Sequence, residues 1–228
     1  MGDEMRLLVA YDSSKKDEGR DIYLEMIQQR IPDVKLVDVK DNMVEAISAN
    51  YYALVLKPMS EDKYKYFEYL YSKVIPEFDI EGVFNGTLTL TAEAVERAVL
   101  KRLDNNIRSK TIVIINQSEI LGKPLAKRFI DMGMNVININ SRYRNLKELL
   151  TQTKVDVLVS ASANKNFKLE EHLTRNIDIK IDLSEDLEDG NKIVSVPTVT
   201  VLKERLESKV NDDIRRIWGK CRKDKRRI

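Results

Sequence analysis

Val113–Arg142 reads VIINQSEILGKPLAKRFIDMGMNVININSR, and the fold turns on how this stretch is parsed. The β-branched run 111–115 predicts a strand. NQSEILG follows as a polar turn, and residues near 123–132 predict a helix, with Pro124 suited to its first turn. Residues 135–139 predict a second strand ending in the polar tip Asn140-Ser141-Arg142. Strand, turn, helix and strand make half of a nucleotide-binding α/β unit. The usual glycine-rich fingerprint is absent: Asn116 stands where it would open with glycine, and Gly122 and Pro124 come later.

In an open parallel sheet, ligands sit beyond the carboxyl ends of the strands, where this turn lies. A helix N-terminus there offers free N–H groups and a positive dipole end to a phosphate. The tip of the second strand reads the adenosine ribose. An acid there suits a free 2′-hydroxyl; Arg142 and Ser141 suit a 2′-phosphate, which favours NADP over NAD. The alternative is an α/β domain that binds no dinucleotide and merely carries Arg142 on its surface.

Outward from this stretch, strands and helices alternate. Strands are expected at 5–11, 34–39, 53–56, 155–159 and 177–182. Helices are expected at 17–31, 61–75, 91–103 with Thr91 as N-cap, 145–152, 168–175 and 199–218. Such alternation predicts right-handed crossovers and parallel sheets. The segment DNNIRSK (104–110) reads as a boundary. Two α/β domains follow: an N-terminal one, 1–106, completed by the helix 199–218, and a Rossmann-like one, 107–195. The helix 199–218 must bury its apolar stripe, and the N-terminal domain is the expected place.

The chain has 228 residues, 43% hydrophobic and 33% charged, an ordinary globular mix with ample length for a core. No apolar run approaches the roughly 18–20 residues that span a bilayer, and Met1–Arg6 is not a signal peptide. One cysteine, Cys221, excludes an internal disulfide and fits a reducing cytoplasm. With one histidine, His172, a His/Cys metal site is excluded, and no metal is expected; His172 itself reads as an inert surface residue. Net charge is +2, yet Arg215–Ile228 alone carries +7, leaving −5 elsewhere. The basic tail 219–228 lacks interleaved aromatics, so a solvated terminus is preferred to a nucleic-acid grip.

At the level of motifs, the chain resembles the bifunctional methylenetetrahydrofolate dehydrogenase/cyclohydrolases. VIINQSEILGKPLA is similar to their G-R-S-x-x-V-G-x-P, VININSRYRNL to V-T-x-C-H-S-x-T-x-x-L, and KVDVLVSASANKNF to A-D-I-L-x-x-A-x-G-x-P-x-F. Upstream, ALVLKPMSED resembles L-V-Q-L-P-L-P, EFDIEGVFNG resembles K-D-V-D-G-F, and TLTAEAVERAV resembles P-C-T-P-x-G-V-x-x-L-L. Downstream, VPTVTVLKERL is a shortened V-P-G-G-V-G-P-M-T. The resemblance implies two α/β domains flanking a cleft, NAD(P) in the C-terminal one, and a homodimer. It implies oxidation of 5,10-methylenetetrahydrofolate and hydrolysis of the methenyl product. Ser118, Gly122, Ser141 and Arg142 fall at cofactor-side positions; Asn116 and Gln117 replace the motif glycine and arginine.

The folate side departs further. The lysine of the family's Y-V-x-x-K falls on Tyr23 or Leu24, depending on a one-residue gap, and neither supplies an ammonium. The glutamine of Q-L-P-L-P aligns with Leu56, next to Lys57, and the second aspartate of K-D-V-D-G-F becomes Glu81. Tyr23, Lys57 and Glu81 are the candidates on that side. The resemblance therefore implies an NAD(P)-dependent methylenetetrahydrofolate dehydrogenase with cyclohydrolase activity impaired or lost. The alternative is a non-catalytic homologue that binds a dinucleotide, a folate or a protein partner.

Overall fold

The computed structural model describes residues 6–40, 43, 51–104, 106–189, 192–194 and 196–224, with side chains described as far as Asp212. The chain divides into two units, one of residues up to Thr87 with those from Val199 onward, the other of Leu88–Thr198.

The first unit contains β1 (Leu7–Tyr11), α1 (Glu18–Arg30), β2 (Lys35–Asp38), β3 (Tyr52–Val55) and α2 (Glu61–Tyr69). Its strands form a parallel sheet in the order β2-β1-β3, with Leu8 opposite both Lys35 and Ala53. The pleat alternates faces. Leu8, Ala10, Ala53 and Val55 share one core with Phe67, Leu70 and Tyr71. Leu7, Val9 and Leu54 are fully buried too, so β1 and β3 are apolar nearly throughout, as parallel strands covered on both faces are, while the edge strand β2 carries Lys35 and Asp38. Asp17 caps α1 by accepting from the Arg20 N–H at 2.7 Å. The helix expected over 61–75 is regular only to Tyr69. Residues Leu70–Val74 widen into a π turn, closed by Ile75 N–H to Leu70 O at 2.9 Å. Pro76 then drives Ile75 out of helical geometry.

The second unit contains α3 (Leu90–Arg102), β4 (Thr111–Ile115), α4 (Gly122–Asp131), β5 (Asn135–Ile139), α5 (Leu146–Gln152), β6 (Val157–Ser160), α6 (Glu171–Thr174) and β7 (Ile179–Asp182). The sheet is parallel, order β5-β4-β6-β7. Ile112, Ile114, Val157, Val159, Ile179 and Ile181 face Ala92, Val95 and Val99 of α3 and Leu125 and Phe129 of α4. Val113, Ile115 and Leu158 face Leu146, Leu150 and Leu173 on the other side. The unit is thus a three-layer α/β/α sandwich. Its boundary lies at 87/88, not at the expected 106/107, because α3 packs its apolar stripe on this sheet beside α4. The N-cap also lies two residues earlier than expected: it is Thr89, not Thr91, and its hydroxyl donates to Ile120 O at 2.5 Å.

The last helix, α7 (Thr198–Asp224), runs beyond the expected 218, and from Val199 it is grouped with the first unit. It buries Val199, Val201, Leu202 and Leu206. The side chains of the basic tail 219–228, Cys221 included, lie outside the described residues.

Candidate functional site

The β4–α4 turn is organised by one side chain. Asn116 Oδ1 accepts from Ser118 N at 2.9 Å, Ser118 Oγ at 2.7 Å and Gly122 N at 2.9 Å. Its Nδ2 donates to Ala161 O, at the end of β6, at 2.7 Å. The chain leaves β4 toward β5 on one side and returns to β6 on the other, so β4 and β6 flank the topological switch point, and Asn116 spans it. Gly122 is obligatory here: a Cβ would lie 1.7 Å from Asn116 O and 2.8 Å from Asn116 Oδ1. Ser118 Oγ in turn accepts from Leu121 N at 3.2 Å, leading the chain into α4.

A ladder of amides continues from the turn to the tip of β5. Asn138 Nδ2 donates to Asn116 O at 2.6 Å and to Ile114 O at 3.2 Å. Gln117 Nε2 donates to Asn138 O at 3.1 Å, and Gln117 Oε1 accepts from Asn140 Nδ2 at 3.2 Å. Asn140 Oδ1 accepts from the Arg142 N–H at 2.9 Å. Beyond this ladder lies an open pocket of about 530 Å³ bounded by Gln117, Ile139, Asn140, Arg142, Tyr143, Arg144 and Asn145. Its rim carries two arginines and no carboxylate. Among the described residues neither Arg142 nor Arg144 has an acidic partner. Tyr143 is 44% exposed and offers a ring face.

Of the six expected cofactor-side residues, Gln117 and Arg142 line this pocket, while Asn116, Ser118 and Gly122 build the turn behind it. Ser141 is half-buried and does not line the pocket. Sequence reasoning missed Tyr143, Arg144 and the asparagines of β5. The signal for the first two was the run SRYRN, two cations around an aromatic ring at a strand end.

The far wall of the switch point is a hydrogen-bonded network. Asp186 is buried and accepts from Ser160 Oγ and Ser162 Oγ at 2.6 Å each and from Ser162 N at 2.9 Å. Asp182 accepts from Asp186 N, Leu187 N and Lys192 Nζ at 2.8–2.9 Å. Burial pushes the Asp182 carboxyl up, but Lys192 and the two backbone N–H groups outweigh it and hold it below the usual range. Between Ser162 and this network sits Ala163 with φ +52°, a left-handed conformation at the place of the glycine in A-x-G-x-P.

In the first unit the structure brings Tyr23 and Glu81 together. Burial and then the Glu81 charge push the Tyr23 hydroxyl well above its ordinary value, so it stays protonated. That hydroxyl is buried and has no hydrogen-bond partner among the described residues. The backbone around Glu81 is fixed from two directions. Asp79 accepts from Gly82 N, Phe84 N and Asn85 N at 2.8–3.0 Å, while Arg205 of α7 donates to Ile80 O at 3.0 Å and Glu81 O at 3.3 Å. Burial raises the Asp79 carboxyl despite those three N–H groups and Arg205. Lys57 is exposed, with Nζ 3.6 Å from the centroid of Tyr64. Leu24, the other residue at the lysine position, is buried core. His172 is 59% exposed, 3.4 Å from Glu170. Among the described residues, no group of His, Cys, Asp and Glu is placed to hold a metal, and no helix is long and apolar enough to cross a membrane.

Residues 89–201 match the family of the tetrahydrofolate dehydrogenase/cyclohydrolase NAD(P)-binding domain. The bifunctional protein FolD of Clostridium botulinum (strain Hall) is 32% identical over 113 residues, 50% of this chain and 39% of that protein. FolD of Lactobacillus helveticus is 33% identical over 106 residues, 46% of this chain and 36% of that one. The matched part thus spans well under half of these curated relatives. Among solved structures, Trypanosoma brucei methylenetetrahydrofolate dehydrogenase-cyclohydrolase, complexed with NADP and an inhibitor, has TM-score 0.69 at 16% identity, covering 92% of this chain and 87% of that one. The NAD-dependent 5,10-methylenetetrahydrofolate dehydrogenase of Saccharomyces cerevisiae has TM-score 0.66 at 18% identity, covering 92% and 88%. At these identities the likeness is one of fold.

Proposed function

Since the chain is a divergent member of the tetrahydrofolate dehydrogenase/cyclohydrolase family, we propose that it binds NADP⁺ in its second unit and oxidises 5,10-methylenetetrahydrofolate, with the cyclohydrolase step impaired or lost. The observation that carries the cofactor half is the pocket at the tip of β5: two arginines, a tyrosine and no carboxylate on the rim. A carboxylate there would accept from a bare 2′-hydroxyl; guanidinium groups suit a 2′-phosphate. The NADP complex of the trypanosomal relative and the NAD dependence of the yeast one bracket the choice, and the charge of this rim favours NADP.

When bound, the nicotinamide accepts the hydride; the chain's task is to orient cofactor and pterin. Hydride transfer needs geometry more than an acid or base, so it tolerates the loss of the lysine, whose position falls on Tyr23 or Leu24. The hydrolytic step is different. Tyr23 remains a neutral phenol beside Glu81 and supplies no ammonium. The same substitution favours a second reading, a homologue that binds the dinucleotide without turnover. A homodimer in the cytoplasm, acting in one-carbon folate metabolism, completes the proposal.

Calorimetric titration with NADP⁺ and NAD⁺, with and without tetrahydrofolate, is the first test. NADP⁺ should bind at micromolar concentration and about twentyfold more tightly than NAD⁺, the worth of roughly 2 kcal/mol. Reduction of NADP⁺ with methylenetetrahydrofolate then separates enzyme from silent binder, and methenyl hydrolysis should stay at the uncatalysed rate. Failure of both dinucleotides to bind would overturn the proposal. Light scattering of the purified chain checks the dimer.

A further inference from the structure

Three donors converge on one point in the β4–α4 turn: Ser118 N, Ser118 Oγ and Gly122 N, all within 2.7–2.9 Å of Asn116 Oδ1. Two backbone N–H groups and a hydroxyl aimed at one spot are a donor set that suits a phosphate oxygen. An amide oxygen has two lone pairs, so three donors exceed its ordinary capacity. The carboxamide cannot leave cheaply. Its Nδ2 is bonded to Ala161 O at 2.7 Å, and withdrawing the group breaks four hydrogen bonds at once. The cation of the first helical turn, Lys123, is paired with Glu119 four residues earlier and adds no net charge.

We infer that Asn116 fills the phosphate seat of this turn with its own side chain, so that a bound dinucleotide is held by its adenosine 2′-phosphate end and gains little from its diphosphate. Asn116 is then the residue that sets which part of the ligand is recognised. The inference rests on the dinucleotide reading above and sharpens it. Arg142, Tyr143 and Arg144 grip the nucleoside end at the tip of β5, while the donors of the turn are already satisfied by Asn116. The ligands of such a site are 2′-phosphorylated adenosines, whatever hangs from their 5′ side.

The test is calorimetry on the full chain with adenosine 2′-monophosphate, NADP⁺ and NAD⁺. In the unaltered protein the monophosphate should bind within about fivefold of NADP⁺, a gap of less than one good charge-assisted hydrogen bond. Asn116→Gly hands the three donors to the ligand. It should tighten NADP⁺ about tenfold, one such bond, and leave the monophosphate within about twofold. Unchanged monophosphate binding also reports that the variant is folded; Asn116→Ser, which keeps a local hydroxyl, repeats the comparison if the glycine variant unfolds. NADP⁺ binding about fiftyfold or more tighter than the monophosphate in the unaltered protein would overturn the inference. So would a loss of NADP⁺ affinity in folded Asn116→Gly or Asn116→Ser. If none of the three ligands binds, the dinucleotide reading itself falls, and this inference with it.

Discussion

Replacing Gly122 with alanine is the sharpest perturbation of the turn. The new Cβ would sit 1.7 Å from Asn116 O, 2.3 Å from Asn116 C and 2.8 Å from Asn116 Oδ1, whereas real Cβ contacts stay beyond 3.0 Å. Two of the three obstacles are backbone, so the chain must move by more than an ångström. That movement breaks Gly122 N to Asn116 Oδ1 and strains Lys123 N to Ser118 O and Leu121 N to Ser118 Oγ. One lost hydrogen bond and two strained ones, together about 2 kcal/mol, with about 1 kcal/mol of overpacking, give a destabilisation of about 3 kcal/mol. Gly19 is the control. It is the second residue of α1, and its Cβ would meet nothing closer than Asp17 Oδ1 at 3.4 Å. Gly19→Ala should leave stability unchanged or raise it by up to about 0.5 kcal/mol, since the first turn carries only part of the helix-interior penalty of glycine. Urea unfolding followed by circular dichroism measures both. A Gly122→Ala cost below about 0.5 kcal/mol, the size of an ordinary surface change, would refute the reading of the turn.

Arg142→Ala and Arg144→Ala should each weaken NADP⁺ about fivefold and together about twentyfold, with NAD⁺ shifted less than about twofold, because an exposed guanidinium contributes about 1 kcal/mol after screening. An unchanged preference in the double variant, measured by titration, would remove both from the site. Lys180 and Asp189 form a buried ion pair at 2.5 Å, their side chains 4% and 7% exposed. Lys180→Ala should therefore cost about 3 kcal/mol in chemical denaturation, while the paired change Lys180→Met with Asp189→Leu should come within about 1 kcal/mol of the starting protein. Burial pushes the Asp12 carboxyl up, but Ser14, Lys63 and the N–H groups of Ser14 and Ser60 outweigh it and lower the group from 3.8 to about 2. A carboxyl lowered on folding stabilises above its unfolded value, and that contribution is lost as pH falls from about 4 toward 2. Asp12→Asn should remove about 2 kcal/mol of the acid-dependent loss, read from denaturation midpoints at pH 7 and pH 2.5.

Strands whose side chains face helices on both sides advertise themselves, and this is why 111–115 and 135–139 were legible to the residue. The partner of an amphipathic helix does not advertise itself in the same way. The stripe Ala92, Val95, Val99 announces that α3 packs on something; only the contacts with Ile112 and Phe129 say on which sheet. The π turn after Tyr69 was hidden for a related reason, since apolar spacing at 70, 71 and 74 suits a wide turn as well as a regular one. In the site, the residue types were visible and the pairings were not. Asn116, Gln117, Asn138 and Asn140 are four amides spread over 25 positions of sequence. Nothing in their spacing says that they bond in series.

That series changes what the departures from the family motif mean. Read along the chain, Asn116 and Gln117 are losses, a glycine and an arginine gone. In the fold they are substitutes with a different job. The arginine would point one charge at the ligand; Gln117 instead ties the turn to β5 through Asn138 O and Asn140 Nδ2. The charge reappears at the tip of the next strand, on Arg142 and Arg144, across the same pocket. The glycine would leave N–H groups free; Asn116 binds them itself and reaches across the switch point to β6. A turn that satisfies its own donors needs no ligand to be ordered, so its shape is independent of occupancy. In the proposed site, binding would cost little reorganisation at the turn and draw its specificity from the rim. The first unit shows the opposite balance. The backbone on either side of its Glu81 is held by Asp79 and Arg205, yet the Tyr23 hydroxyl beside it has no partner among the described residues. A buried hydroxyl left without a partner costs about 1–3 kcal/mol. Tyr23→Phe should therefore stabilise the protein by about 1 kcal/mol in urea unfolding. It should leave NADP⁺ affinity within about twofold. A destabilised Tyr23→Phe would mean that the hydroxyl is already satisfied, by Glu81 or by water, and that the pair belongs to the chemistry after all.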